Sequence, residues 1–263
     1  MAMEPISTLL GYSPIDIHSH VDHGTVGDRS TIVTPEQLHT HIITLDFVRR
    51  RYDAVGIGSS VMSTYCSVLR NDHIREENDY LHRLVRETPW LYQWVVIHPQ
   101  QEETFDQAAR MLRQPKTLGI KIHPSCHGYD IMEHGDKLFS FANDLGTVVQ
   151  MHPMHIDRMP ELADKYPDMK LIIAHLGSDS YMDAVLRAKH GNIYVDTSGS
   201  ASYQNNIIER AVERVGAEHI LFGTDTYDPA FQLGRIVWAG ITEADKNKIL
   251  RENAMTMFPG AFR

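Results

Sequence analysis

Two imidazoles one residue apart close an apolar run near the start of the chain, Ile15-Asp16-Ile17-His18-Ser19-His20. Neutral imidazole is a good ligand for a divalent ion. On a strand the side chains alternate with period two, so Asp16, His18 and His20 share one face while Ile15 and Ile17 share the other. The stretch therefore reads as a strand whose C-terminal end presents two metal-seeking side chains. Ionisable side chains also end later apolar runs: His98, Lys121 with His123, His152, His175 and Asp225. Taken singly, each is more often a hydrogen-bonded rim residue than a ligand. Gathered in one place, such a cluster of unpaired imidazoles and charge is costly to bury without a metal. Three imidazoles and one carboxylate suit Zn²⁺ or a similar ion with one coordination position open, and such an ion lowers the pKa of bound water toward ~7.

These side chains need elements that deliver them to one place. Strand-like runs are read at 15–20, 53–58, 92–97, 118–123, 147–152, 170–175, 193–196 and 219–224, with helical runs between them. Thr34-Pro35-Glu36 reads as an N-cap, a helix-starting proline and an acidic first turn, opening a helix to about Arg51. The tail from Pro229 to Phe258 also reads as helical. Eight strands alternating with helices imply βαβ units and a parallel sheet. Apolar residues on both strand faces agree with strands covered on both sides. The count and the length of 263 residues predict an α/β fold, a (β/α)8 TIM barrel forming one domain over 1–263. In that barrel every candidate residue above lies at the C-terminal rim.

Composition narrows the partners. Hydrophobic residues make up 42% and charged residues 22%, an ordinary globular balance, and the net charge of -9 argues against nucleic acid as a partner. Cys66 and Cys126 have no ligand spacing and read as free buried thiols of a reducing compartment. No basic region followed by an apolar run opens the chain, and nothing approaches the ~20 apolar residues of a membrane span. The expectation is a cytoplasmic protein that acts on a small molecule without a membrane partner, with homo-oligomerisation resting on general frequency alone.

The chain resembles the amidohydrolase superfamily, and within it the amidohydrolase-2 branch that includes aminocarboxymuconate semialdehyde decarboxylase, resorcylate decarboxylases and pyrone dicarboxylate lactonase-like proteins. The matching residues are Ile15 to His20, Gly119-Ile120-Lys121-Ile122-His123-Pro124, Met151-His152-Pro153, Ile173-Ala174-His175-Leu176-Gly177, Val195-Asp196-Thr197-Ser198-Gly199 and Leu221-Phe222-Gly223-Thr224-Asp225. The resemblance implies one divalent metal ion, Zn²⁺ first and Mn²⁺ second, held by His18, His20, His152 and Asp225. It implies His175 as acid or base beside the metal, and Asp225 as acceptor of the proton from attacking water. Lys121, unmodified as is usual in this branch, and His123 then meet an anionic or carbonyl part of the substrate. His98 is a further rim candidate, and Arg29 or Arg70 are candidates to clamp a carboxylate. This chain keeps His18 where the resorcylate-type branch often has Glu.

The leading expectation is a metal-dependent hydrolase that adds activated water to an ester, lactone or amide carbonyl of a small molecule, with carboxylated molecules among the candidates. The alternative is a non-oxidative decarboxylase on the same site. Remoter readings are a phosphoesterase, weakened by Lys121 where those families place a carboxylate, and a barrel whose rim only binds. His18→Ala or His20→Ala is expected to cost metal and activity together while the barrel stays folded. Metal content, activity and circular dichroism of the double variant check this, and an active, metal-replete double variant refutes it.

Overall fold

The structure is a computed structural model that describes residues 11–22, 44–199 and 203–262. Among these residues a single sheet runs in chain order through β1 (Ile15–Val21), β2 (Ser59–Thr64), β3 (Leu91–Val96), β4 (Thr117–Ile122), β5 (Val148–Met151), β6 (Lys170–Ile173), β7 (Ile193–Asp196) and β8 (Ile220–Leu221). Every neighbouring pair is parallel. Backbone bonds from Ile17 N to Phe222 O (3.0 Å) and from Thr224 N to His18 O (3.1 Å) join the last strand to the first. With helices on the connections, this is the (β/α)8 barrel that the alternation of elements predicts. No helix among the described residues is long and apolar enough to cross a membrane.

Two apolar layers hold the barrel. The larger lies between strands and helices and includes Val95, Ile120, Ile122, Met151, Leu171, Ile173 and Val195 with helix residues such as Leu81, Leu138 and Met182. The smaller fills the lumen with Ile15, Ile17, Val61, Trp94, Val148, Ile172 and Leu221. Ala254, Met257, Phe258 and Phe262 of the tail close the lumen from below. Trp94 is its largest member: its indole N–H donates to Ile17 O at 2.7 Å, and its ring meets Phe258 edge-on at 5.7 Å. Opposite it, Gly119 leaves the space the indole fills, because a Cβ there would stand 2.5 Å from Trp94 Cζ3.

The strict alternation expected of β1 does not hold. Its pairing with β2 slips between Asp16 and Ser19. Ile15 and Ile17 face the lumen, whereas Asp16 turns outward to the hydroxyls of Tyr52 and Thr224. The irregularity places one extra residue in the strand, so Ile17 packs inside and His18 still turns inward above it. β6 pairs in regular register with both neighbours. Leu171 and Ile173 belong to the helix-facing layer and the strand ends at Ile173, so His175 reaches the rim from a turn and not along their face.

The run at 53–58 is not a strand. The helix Leu45–Val55 extends through Asp53 and stops at Gly56, whose left-handed φ of 75° suits a residue without a Cβ. Val48, Tyr52 and Val55 form the buried stripe of that helix, and the second strand is the next segment, Ser59–Thr64. The expected helix start at Thr34-Pro35 and the loop carrying Arg29 lie outside the described residues. The tail is broken into helices over Pro229–Val237, Glu243–Asn247 and Asn253–Met257, with a π turn at Lys248–Glu252. Cys66 and Cys126 are free, but Cys66 is half-buried and Cys126 exposed, so the expectation of buried thiols fails. Gly119→Ala is expected to destabilise the protein by about 1–3 kcal/mol through overpacking against Trp94, read as a lowered denaturant midpoint.

Candidate metal centre

At the rim, β1 and the segment after β8 bring three donors together. Asp225 Oδ1 lies 3.4 Å from His18 Nε2 and 3.0 Å from His20 Nε2. Each ring is held from its other nitrogen: His18 Nδ1 is 2.8 Å from Asp196 Oδ2, and His20 Nδ1 is 3.0 Å from Ser63 Oγ. In the tautomer that carries hydrogen on Nδ1, both Nε2 lone pairs face a carboxylate oxygen. A cation stabilises lone pairs that face one another in this way, and the donor set fits a divalent metal. The Lys121 ammonium, buried in the lumen 3.1 Å from His18 Nε2, supplies a positive charge at the same place. Burial pulls Lys121 down to about 8, against the opposing pull of Asp225 and Asp196.

Burial also keeps the His18, His20 and His152 rings neutral. It lowers His18 to about 3, with the Lys121 charge adding to the effect and Asp196 and Asp225 opposing it. His152 falls to about 3, by burial and then the neighbouring His175. Asp225 lies beside the Lys121 ammonium, and each favours the charged form of the other. Neutral nitrogens and ionised carboxylates are the forms a metal needs.

Asp196, at the end of β7, organises this rim although the sequence reading assigned it no role. Its carboxylate is completely buried. Oδ2 meets His18 Nδ1 and accepts from Gln150 Nε2 at 3.2 Å. Oδ1 accepts the backbone N–H groups of His175 (3.1 Å) and Ser198 (3.0 Å) and the Ser198 hydroxyl. Asp16 has a similar part on the outer side: it accepts from His18 N (3.0 Å), Thr224 N (3.1 Å), Thr224 Oγ1 (2.6 Å) and the Tyr52 hydroxyl, and burial raises it to about 7. These bonds pin β1 to the strand that delivers Asp225. The sequence signal for both was present: each is an acidic residue inside an apolar run, where an unpaired charge does not survive.

The other predicted residues among those described fall in four places. His175 joins the cluster, its ring 5.0 Å from that of His18 and its Nε2 3.9 Å from Asp225 Oδ2. His152 lies one ring further out, edge-on to His175 at 5.2 Å and stacked on His123 at 3.9 Å. Its Nδ1 is buried with no hydrogen-bond partner among the described residues, leaving a nitrogen for a ligand to engage. His123 caps the turn Pro124–His127 by accepting from Cys126 N at 3.3 Å. His98 is occupied by backbone, accepting from Gln100 N and donating to His127 O. Arg70 pairs with Asp72 and is not brought to the cluster.

Backbone geometry carries a further mark of the site. His175 (φ 66°), Asp225 (φ 53°) and Thr226 (φ 62°) all occupy the left-handed region without being glycine. Such residues cost about 1–3 kcal/mol each and persist where the surroundings impose them, typically at functional sites. Gly223 is required by proximity, since a Cβ there would stand 2.8 Å from His18 Cβ.

A parallel barrel with imidazole and carboxylate donors converging at its C-terminal rim defines a class, the metal-dependent TIM-barrel enzymes. The chain belongs to the amidohydrolase family, whose amidohydrolase-2 model matches residues 15–260. Comparison with curated protein sequences finds no match. Among solved structures, the chain is similar to a dihydroxybenzoic acid decarboxylase from Polaromonas sp. JS666 with bound manganese and 2-nitroresorcinol. That likeness has a TM-score of 0.77 at 19% identity and covers 94% of this chain and 96% of the other. A 2,6-dihydroxybenzoate decarboxylase from Rhizobium gives 0.73 at 16%, covering 94% and 98%. A 5-carboxyvanillate decarboxylase from Novosphingobium aromaticivorans, complexed with manganese and 4-hydroxy-3-methoxy-5-nitrobenzoic acid, gives 0.72 at 15%, covering 94% and 96%. At these identities the likeness is one of fold.

Asp196→Asn keeps the shape of the hub but removes its charge. It is expected to weaken Mn²⁺ or Zn²⁺ binding by roughly 10–100-fold while the protein stays folded. Calorimetric titration of the metal-free variant measures this, and wild-type affinity would contradict the role given to Asp196.

Proposed function

We propose that the protein is a metal-dependent, non-oxidative decarboxylase acting on a small unsaturated or aromatic carboxylic acid with an oxygen substituent beside the carbon that bears the carboxyl group. The observation that supports this reading over hydrolysis is that the solved structures similar to it along almost their whole length include decarboxylases of dihydroxybenzoate and 5-carboxyvanillate, some with manganese bound. Manganese therefore joins zinc as a first metal to load.

In this reaction the bond between carbon and carboxylate breaks, CO₂ leaves, and the electron pair left on carbon is taken up by a proton. No oxidant is needed and no water is consumed. When bound, the metal supplies positive charge to the oxygen next to that carbon. The residues proposed to hold it are His18, His20 and Asp225, with His152 adjoining through its unpartnered nitrogen.

His175 takes up a proton from solvent at Nε2 and hands it to carbon, because its ring reaches the rim beside the Asp225 carboxylate. Lys121 and His123 orient the anionic end of the substrate. Their setting is buried, which strips water from the carboxylate and favours its departure as neutral CO₂.

The test is product analysis with Mn²⁺- and Zn²⁺-loaded protein and a panel of ortho-hydroxylated benzoates and β-oxygenated enoic acids. The expected result is release of one CO₂ per product, with one deuterium at the former carboxyl-bearing carbon in D₂O. His175→Ala should lower kcat by about 10²–10⁴-fold. Uptake of ¹⁸O from water into a lactone, ester or amide product without CO₂ would overturn the decarboxylase reading in favour of a hydrolase.

A further inference from the structure

Ser198, completely buried after β7, touches more of the centre than its size suggests. Its Oγ lies 2.8 Å from His175 Nδ1 and 3.0 Å from His18 Nδ1, and it also contacts Asp196 Oδ1. A serine hydroxyl carries one proton and two lone pairs. Asp196 Oδ1 already receives two backbone N–H groups and offers only lone pairs. If the serine proton pointed to either imidazole, two lone-pair oxygens would face each other in close contact. The proton therefore goes to Asp196, and Ser198 Oγ is left as an acceptor for its imidazole neighbours.

From this arithmetic we infer that Ser198 is a positioning residue which fixes His175 in the tautomer with hydrogen on Nδ1, leaving Nε2 directed at the reacting centre. The backbone is built for this contact. His175 is held in the left-handed region at φ 66° by its own N–H bond to Asp196. Gly199, at φ 60°, leaves bare the space beside the ring, since a Cβ there would stand 2.8 Å from His175 Nδ1. Asp196, Ser198 and His175 thus form a line in which the carboxylate orients the hydroxyl and the hydroxyl selects the ring nitrogen that faces outward. Isolated imidazole has no such constraint.

The part of this inference that concerns turnover rests on the proton-delivery role proposed for His175. The tautomer itself does not, which separates the two in experiment. Long-range ¹H–¹⁵N spectra of histidine-labelled protein, metal-free and Zn²⁺-loaded, report which ring nitrogen carries hydrogen, with His175 assigned by His175→Gln. The wild type is expected to show His175 wholly protonated at Nδ1. Ser198→Ala should give a mixture or the Nε2–H form, and Ser198→Thr should restore the wild-type spectrum. For turnover, Ser198→Ala should lower kcat by roughly 10–100-fold with KM little changed, and Ser198→Thr should recover most of it. An Nε2–H signal for His175 in the wild type, or the same tautomer in wild type and Ser198→Ala, overturns the inference. A tautomer change with undiminished kcat upholds the positioning and sinks the catalytic role of His175 instead.

Discussion

Asp196 has no exposed surface, and a carboxylate removed from water costs several kcal/mol unless its lone pairs meet donors. Here they meet an imidazole, an amide side chain, two backbone N–H groups and a hydroxyl. Those donors come from β1, β5 and the turns after β6 and β7, so satisfying one buried charge fixes the relative positions of four strand ends. His18 is turned with Nε2 toward Asp225, and the backbone of His175 is drawn into a conformation that a non-glycine residue rarely takes. The rim is preorganised by electrostatics before any ligand arrives.

The barrel beneath has its own closing constraint. β8 is short, and its contact with β1 is carried by individual bonds that include Asp225 N to His18 O at 2.6 Å. Asp16 reinforces that seam from outside, and Gly223 permits the close approach from within. The slip in β1 lets the strand serve both layers, with Ile17 filling the lumen under Trp94 and His18 turned into the polar centre above it. Polar and apolar interiors are thereby stacked along one axis. The apolar half supplies rigidity, and the polar half uses it to hold imidazoles in their neutral state.

Much of this was legible in the chain. Alternating strand and helix runs over 263 residues describe a parallel barrel, because side-chain periodicity and helix punctuation are local properties. The ionisable residues at run ends were legible for the same reason, since barrel topology sends all strand ends to one rim. The second strand was misplaced because Asp53 to Gly58 has the composition of a strand, yet Tyr52 and Val55 continue a buried helical stripe that only packing reveals. The thiols were misjudged because the burial habit of cysteine is an average, while the exposure of Cys126 follows from its place on a rim turn.

The sequence by itself determined the architecture and the inventory of chemistry: which residues are able to bind a metal, and on which strands they travel. It did not determine which nitrogen of each imidazole faces inward, that Arg70 is spent on Asp72, or that Asp196 and Ser198 underlie the centre. Only the tertiary structure decided those, because a hydrogen bond between residues 18 and 196, or 175 and 198, depends on distances set by the closure of the whole barrel. No local pattern encodes such a distance. It follows from packing the lumen around Trp94 and joining the last strand to the first.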